Sequence, residues 1–248
     1  MITIKSKSEI EKMRLACRIT GDVLKEIEKH IKPGVSTKQL DKIAHNYIVS
    51  KGATPSFLNY NGFPGSICAS PNDVVVHGIP SKDVILSEGD IISIDVGAYI
   101  DGYHGDAART FAVGEISDEA KRLIEVTKQS FFEGIKYIQH GAKLGDVSAA
   151  IQEYVESNGY SVVRDLVGHG IGKNLHEDPN VPNFGKKGRG VKLAQGMTLA
   201  IEPMVNAGEY DVCVLEDDWA VVTEDGSLSA HYENTILITK DGCEVLTL

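Results

Sequence analysis

The chain has 248 residues, 42% of them hydrophobic and 24% charged, enough to bury a sizeable core in one large domain or two fused halves. Its formal net charge of −10, from 25 Lys and Arg against 35 Asp and Glu, argues against a general nucleic-acid binder, which would carry a basic stripe. The N-terminal MITIKSKSEIEKMR has no apolar core of the signal-peptide kind, and no stretch reaches the roughly 18 uninterrupted apolar residues of a membrane span. A cytoplasmic protein without a membrane partner is therefore expected. Cys17, Cys68, Cys213 and Cys243 are widely scattered, with no C-x-x-C pair, and are expected to be small core hydrophobes rather than disulfides or zinc ligands.

In chain order, Ser8 with Glu11 forms a capping pattern, and Ile10, Met13, Cys17, Leu24, Ile27 and Ile31 follow at helical spacing until Pro33-Gly34. Ser36 with Gln39 repeats the pattern ahead of a second helix, carried by Leu40, Ile43, Ala44, Tyr47 and Ile48 and ended by Gly52. The Pro-, Gly-, Asn- and Ser-rich segment from Thr54 to Pro80 reads as ordered loop around a short strand, Val74-Val75-Val76. Ile91 to Thr110 then reads as a β-hairpin turning at Asp101-Gly102. That turn puts Ile100 opposite Tyr103 and Gly97 opposite Asp106, with Asp95 a diagonal neighbour of Asp106 at roughly 7 to 8 Å. A divalent ion would relieve the repulsion of two such carboxylates, although the hairpin alone also suits two solvated aspartates.

Further on, Ser117 to Gln139 and the stretch from Val147 to Gly159 have helical periodicity. Strand signals follow at Tyr160 to Val167, Thr198 to Ile201, Val212 to Leu215, Trp219 to Thr223 and Thr235 to Thr239. Gly168-His169-Gly170-Ile171-Gly172 reads as a glycine turn after a strand, but it lacks the G-x-G-x-x-G spacing of a dinucleotide site.

The second half of the chain repeats the first. An offset of 107 residues carries Gly34, Tyr47, Ser50 and Gly52 onto Gly141, Tyr154, Ser157 and Gly159, and Gly89, Ile94 and Asp95 onto Gly196, Ile201 and Glu202. Two related α+β halves are expected, about residues 1–115 and 116–248, within a single domain. The offset breaks around Trp219, and Glu233 then takes the place of Asp106 ahead of another β run. Asp95, Asp106, Glu202 and Glu233 would thus meet, with His169 as a neutral nitrogen donor. One imidazole with four carboxylates is a hard, oxygen-rich set suited to two divalent ions about 3.5 to 4 Å apart that can share a hydroxide nucleophile.

GHGIGKNLHEDP, IEPM, SAHYENTI, the pair IDVG and GDAARTF, and the upstream SICASPNDVVVHGIP resemble type I methionine aminopeptidases in their short bacterial form. The resemblance extends from the first helix to Cys243. It implies the pseudo-twofold pita-bread fold, an α+β architecture with a central antiparallel sheet covered by helices. It also implies removal of the initiator methionine from nascent polypeptides when the next residue is small. Carried over residue by residue, Asp95, Asp106, His169, Glu202 and Glu233 match the ligands of two divalent ions (Co, Mn, Fe or Zn), with Asp106 and Glu233 bridging. In this chemistry the ions activate a bridging water that attacks the scissile carbonyl. His176 is expected at the carbonyl, His77 near the scissile amide, and Glu202 as a proton shuttle as well as a ligand. Tyr60, Phe63, Cys68, Leu175 and Trp219 match the methionine slot, with Phe57 where a cysteine and Leu175 where an aromatic is common. A monomer, with transient proximity to the ribosome, is expected.

Two other readings compete. A proline-specific peptidase of the same fold would carry a substantial extra N-terminal domain, whereas here residues 1–52 are already part of the first half. A non-catalytic binding protein on this fold would have lost ligands, and all five are present.

Overall fold

The computed structural model describes residues 2–248. Two helices open the chain, α1 (Lys7–Glu28) and α2 (Thr37–Ser50). The strands β1 (Thr54–Pro55), β2 (Ile67–Pro71), β3 (Val74–Val76), β4 (Ile91–Ile100) and β5 (Tyr103–Ala112) complete the first part. Next come α3 (Asp118–Ile135), α4 (Leu144–Ser157), β6 (Ser161–Val162), β7 (Gly168–Gly170), β8 (Glu177–Val181) and β9 (Thr198–Ile201). The chain finishes with β10 (Met204–Asn206), β11 (Val212–Val214), β12 (Val221–Thr223), β13 (Ser229–His231), β14 (Asn234–Ile238) and β15 (Cys243–Val245). Every named strand pairing is antiparallel.

The β4–β5 hairpin has the register that its turn dictates, with Ile100 opposite Tyr103 and Gly97 opposite Asp106. Asp101 and Gly102 both take positive φ, 52° and 85°. That backbone matches the right-handed twist of the strands, which is why Asp-Gly closes so tight a hairpin. The apolar face of β4 packs with α1 and α2 in one core, where Leu24, Leu40, Ile48, Ile92 and Ile94 are fully or nearly fully buried. Phe131, Val147 and Ile151 of α3 and α4 pack with Leu199 and Ile236 of β9 and β14 in a second core.

The 107-residue offset recurs in three dimensions. Each position of α4 lies 107 residues beyond its counterpart in α2. The isolated bridge between Ser36 and Ile85 is matched by one between Lys143 and Lys192. The Gly34 N–H donates to Leu86 O at 2.8 Å, and the Gly141 N–H donates to Leu193 O at 2.8 Å. The fold is thus pseudo-twofold, and the two helix pairs cover the strands that carry Asp95 and the residue that follows β9, Glu202.

Several local expectations are corrected. The first helix is capped by Ser6 with Glu9, not by Ser8 with Glu11. Both pairs satisfy the S-x-x-E pattern, but Ser6 is extended and its N–H donates to Glu9 Oε2 at 2.9 Å, whereas Ser8 already sits in the first turn. Gly168-His169-Gly170 is a strand rather than a turn. A Cβ on Gly168 would stand 2.4 Å from Ala200 O, and one on Gly170 would stand 2.2 Å from Asp178 O, so these glycines let backbones approach closely. Strands β1, β2, β8, β10, β13 and β15 are additions to the sequence reading, and Tyr160–Val167 holds only the short β6. The four cysteines are free, as expected, but Cys213 is exposed and Cys243 only half-buried. Among the described residues, no helix is long and apolar enough to cross a membrane.

Candidate active site

Asp95 projects from the middle of β4 and Asp106 from β5, brought to one face by the hairpin register. Glu202 follows β9, Glu233 precedes β14, and His169 is the central residue of β7, paired with Ala200 of β9. The two groups of strands are joined at the site itself. The Glu233 N–H donates to Ala108 O at 2.9 Å, and the Asp106 N–H donates to Thr235 Oγ1 at 3.0 Å, which in turn donates to Asp106 O at 2.8 Å. Arg109 braces the join by donating to the carbonyl of Glu233 and to Asn234 Oδ1, and its guanidinium lies over the Tyr232 ring.

The five groups converge. Asp106, His169 and Glu233 each offer a ligand atom, and these atoms lie within 4.8 Å of one another. His169 Nε2 stands 3.8 Å from Asp106 Oδ2 and 3.6 Å from Glu202 Oε1. Asp95 interacts with both Asp106 and Glu233. His169 is oriented by its Nδ1, 2.9 Å from Gly170 O, which as donor leaves Nε2 bare toward the carboxylates.

Burial pushes the Asp95, Asp106, Glu202 and Glu233 carboxyls upward, and the neighbouring carboxylates push Asp106, Glu202 and Glu233 further. Burial also lowers His169 to about 3, with His176 adding to the effect. Asp95 Oδ1 and Asp106 Oδ1 are buried without a hydrogen-bond partner. Four carboxylates, orphaned oxygens and a bare imidazole nitrogen fit divalent cations, since an ion would satisfy the oxygens and remove the repulsion together.

All twelve candidate residues named from the sequence line one cavity of about 390 Å³. Its polar floor is the carboxylate cluster. One wall carries His176, whose Nδ1 lies 2.7 Å from the Tyr60 hydroxyl and whose ring centroid is 4.3 Å from that of His169. His77 meets Trp219 edge-on, 6.5 Å between centroids. Its φ of 60° is a left-handed conformation unusual for a side chain with a Cβ, and the next residue, Gly78, packs against Ala69 O. Phe63 meets Trp219 edge-on at 5.1 Å, and with Cys68, Leu175 and Phe57 they give the cavity an apolar slot.

Val76 and Met204 also line the cavity although the sequence does not single them out, because short apolar strands look the same in sequence whether they face a core or a cavity. Sequence pattern misses His231 too. It lies inside the quoted SAHYENTI, is 1% exposed, and has its Nε2 3.8 Å from Glu202 Oε2. Burial lowers its pKa to about 3, with His77 and Arg109 contributing.

Residues 11–240 match Metallopeptidase family M24. A methionine aminopeptidase of Clostridium acetobutylicum is 60% identical over 248 residues, covering 100% of this chain and 99% of that protein. The crystal structure of methionine aminopeptidase from Rickettsia prowazekii superposes with a TM-score of 0.98 at 48% identity, with 100% of both chains covered. The prolidase from Pyrococcus furiosus superposes with a TM-score of 0.81 at 23% identity, covering 99% of this chain and 65% of that one, a likeness of fold alone. The expected α+β pita-bread architecture is therefore the fold of this chain.

Proposed function

The chain belongs to metallopeptidase family M24 and is a metallo-exopeptidase, and from this premise we propose that it removes the N-terminal methionine of polypeptides whose second residue is small. The observation that carries the proposal is the convergence of five donors, with buried orphaned carboxylate oxygens, on the floor of a cavity whose wall is apolar and aromatic. In this reading Asp95, Asp106, His169, Glu202 and Glu233 would hold two divalent ions, with Asp106 and Glu233 as the shared ligands that the resemblance implies. The oxygen-rich set with one nitrogen suits Mn²⁺, Fe²⁺, Co²⁺ or Zn²⁺. Bound there, such ions supply Lewis acidity and a water-derived nucleophile at neutral pH.

The protein's own groups do the rest. The slot formed by Phe63, Cys68, Leu175, Trp219 and the ring of Tyr60 takes an unbranched thioether side chain, which adapts to an irregular apolar space. Tyr60 donates to His176 Nδ1, which leaves the His176 proton on Nε2 for the substrate carbonyl oxygen as charge builds on it. His77 attends the scissile amide, and Glu202 passes a proton to the departing amine. The preference for a small second residue is carried over from the resemblance to methionine aminopeptidases. The same reading treats residues 1–248 as one catalytic domain of two related halves, about 1–115 and 116–248, which the matched helices and bridges support. It also describes a cytoplasmic monomer that meets nascent chains near the ribosome.

The test is release of free Met from Met-Ala or Met-Gly peptides, coupled to metal analysis. Chelation should abolish release, Mn²⁺, Fe²⁺ or Co²⁺ should restore it, and two ions per chain should be recovered. Release that survives metal stripping, or a preference for X-Pro substrates, sinks the proposal.

A further inference from the structure

His231 is next to Glu202, and none of the roles above uses it. It ends β13, is 1% exposed, and neither ring nitrogen has a hydrogen-bond partner among the described residues. A buried polar group without a partner is destabilising, so a buried imidazole in this state calls for an explanation.

Its main chain is fixed by groups other than the ring. The His231 N–H donates to Thr110 Oγ1 at 2.9 Å, the same hydroxyl donates to the His231 carbonyl at 3.0 Å, and Met204 of β10 is its strand partner. The ring is thereby aimed at Glu202. Nε2 stands 3.8 Å from Glu202 Oε2, while Oε1 of the same carboxylate stands 3.6 Å from His169 Nε2. The two oxygens thus face different histidines. Arg109 and His77 are the other charged or titratable groups that act on His231. Arg109 is already engaged with the carbonyls of Ala108 and Glu233 and with Asn234 Oδ1.

We propose that His231 is a positioning residue for Glu202, holding its Oε2 through an Nε2–H donor so that Oε1 stays on the His169 side of the ion site. The inference rests on Glu202 holding a divalent ion, as in the proposed function. The present separation closes to a hydrogen bond with a shift of about 0.8 Å, well within the adjustment of a carboxylate taking up its ligand geometry. A donor of this kind removes the freedom of Glu202 to rotate, and partners of ligating groups typically influence ion affinity by about 10- to 100-fold.

The experiment compares His231→Leu, which keeps the volume and removes the donor, with His231→Gln, whose amide offers a donor at a similar reach. The full chain is metal-stripped, titrated with Mn²⁺ by calorimetry and assayed on a Met-Ala peptide. His231→Leu should lose about 10- to 100-fold in Mn²⁺ affinity and fall in kcat with little change in KM, while His231→Gln stays near the parent. Both metal-free variants should melt cooperatively. If the leucine variant does not fold, His231→Ala makes the same comparison. A leucine variant that binds Mn²⁺ and turns over like the parent overturns the inference, as does a folded glutamine variant no better than the leucine one. Failure of the parent chain itself to bind Mn²⁺ or release Met sinks the underlying reading instead, before any variant is compared.

Discussion

Replacing Tyr60 with phenylalanine removes one hydroxyl and leaves the ring that meets His176 at 5.2 Å between centroids. The hydroxyl is 2.7 Å from His176 Nδ1, and burial holds the phenol above its ordinary pKa, so it remains a donor at neutral pH. Its loss frees His176 to carry its proton on either nitrogen and to tilt within the wall. A net hydrogen bond is worth about 0.5 to 1.5 kcal/mol, and this one is partly open to solvent, so about 1 kcal/mol is appropriate. At about 1.4 kcal/mol per factor of ten, Tyr60→Phe should lower kcat about 5-fold while KM and metal content stay close to those of the parent. His176→Ala removes the donor itself and should cost about 10² to 10³ in kcat, as for loss of an oxyanion donor, again with metal retained. Steady-state kinetics on a Met-Ala peptide with parallel metal analysis separates the two. An unchanged kcat in Tyr60→Phe, or a loss as large as that of His176→Ala, would refute the proposed chain from Tyr60 through His176 to the carbonyl.

Other consequences follow from close packing and charge. Gly168→Ala sets a Cβ against Ala200 O, which can yield only by displacing β9 and with it Glu202. Overpacking of this sort costs about 1 to 3 kcal/mol, equivalent to a fall in Tm of about 2 to 12 °C for a chain this size, and metal affinity should fall too; an unaltered melt with intact metal binding would show that β9 does not fix Glu202. In the chelated protein Asp106, Glu202 and Glu233 are held well above the carboxylate range, first by burial and then by one another. The native state then holds more protons than the unfolded state as pH rises, so stability declines with pH. Lowered His169, His77 and His231 act in the opposite sense, but chiefly below about pH 6.5, where unfolded imidazoles take up protons. Thermal melts should therefore show the metal-free protein losing stability above about pH 7, and saturating Mn²⁺ should suppress that loss. A flat or rising metal-free profile would contradict the assigned carboxyl environment.

The sequence was most informative where one chemical constraint had one geometric solution. Asp101-Gly102 specified a two-residue turn, and the turn specified which residue faces Asp106. The repeat was legible because the matched glycines at Gly34, Gly52, Gly89 and their counterparts all take positive φ, a demand that few other residues meet without strain. Legibility failed where a residue serves a distant neighbour. The glycines flanking His169 resemble a turn in isolation, and only the proximity of Ala200 O and Asp178 O explains why they stand in a strand. Ser6 and Ser8 present the same local pattern, so the helix start is chosen by the Glu9 contacts, which include the Tyr103 hydroxyl from β5. His231 ends the three-residue strand Ser229–His231, too short to show a periodicity, and its meaning depends on Glu202, which follows a strand of another sheet.

The seam between β5 and β14 also has a consequence for the timing of assembly. Asp106 and Thr235 are 129 residues apart in sequence, yet their hydrogen bonds lie at the floor of the cavity. Beyond them, the Leu246 N–H donates to Thr235 O, and the Thr247 hydroxyl donates to Asn234 Oδ1. A chain still emerging from synthesis can form the β4–β5 hairpin early, because its contacts are local, but it completes the set of donors only after almost the whole sequence is available. The donor set is thus assembled by contacts between distant parts of the chain, and the segment from Leu246 to Thr247 closes over Asn234 and Thr235 beside it.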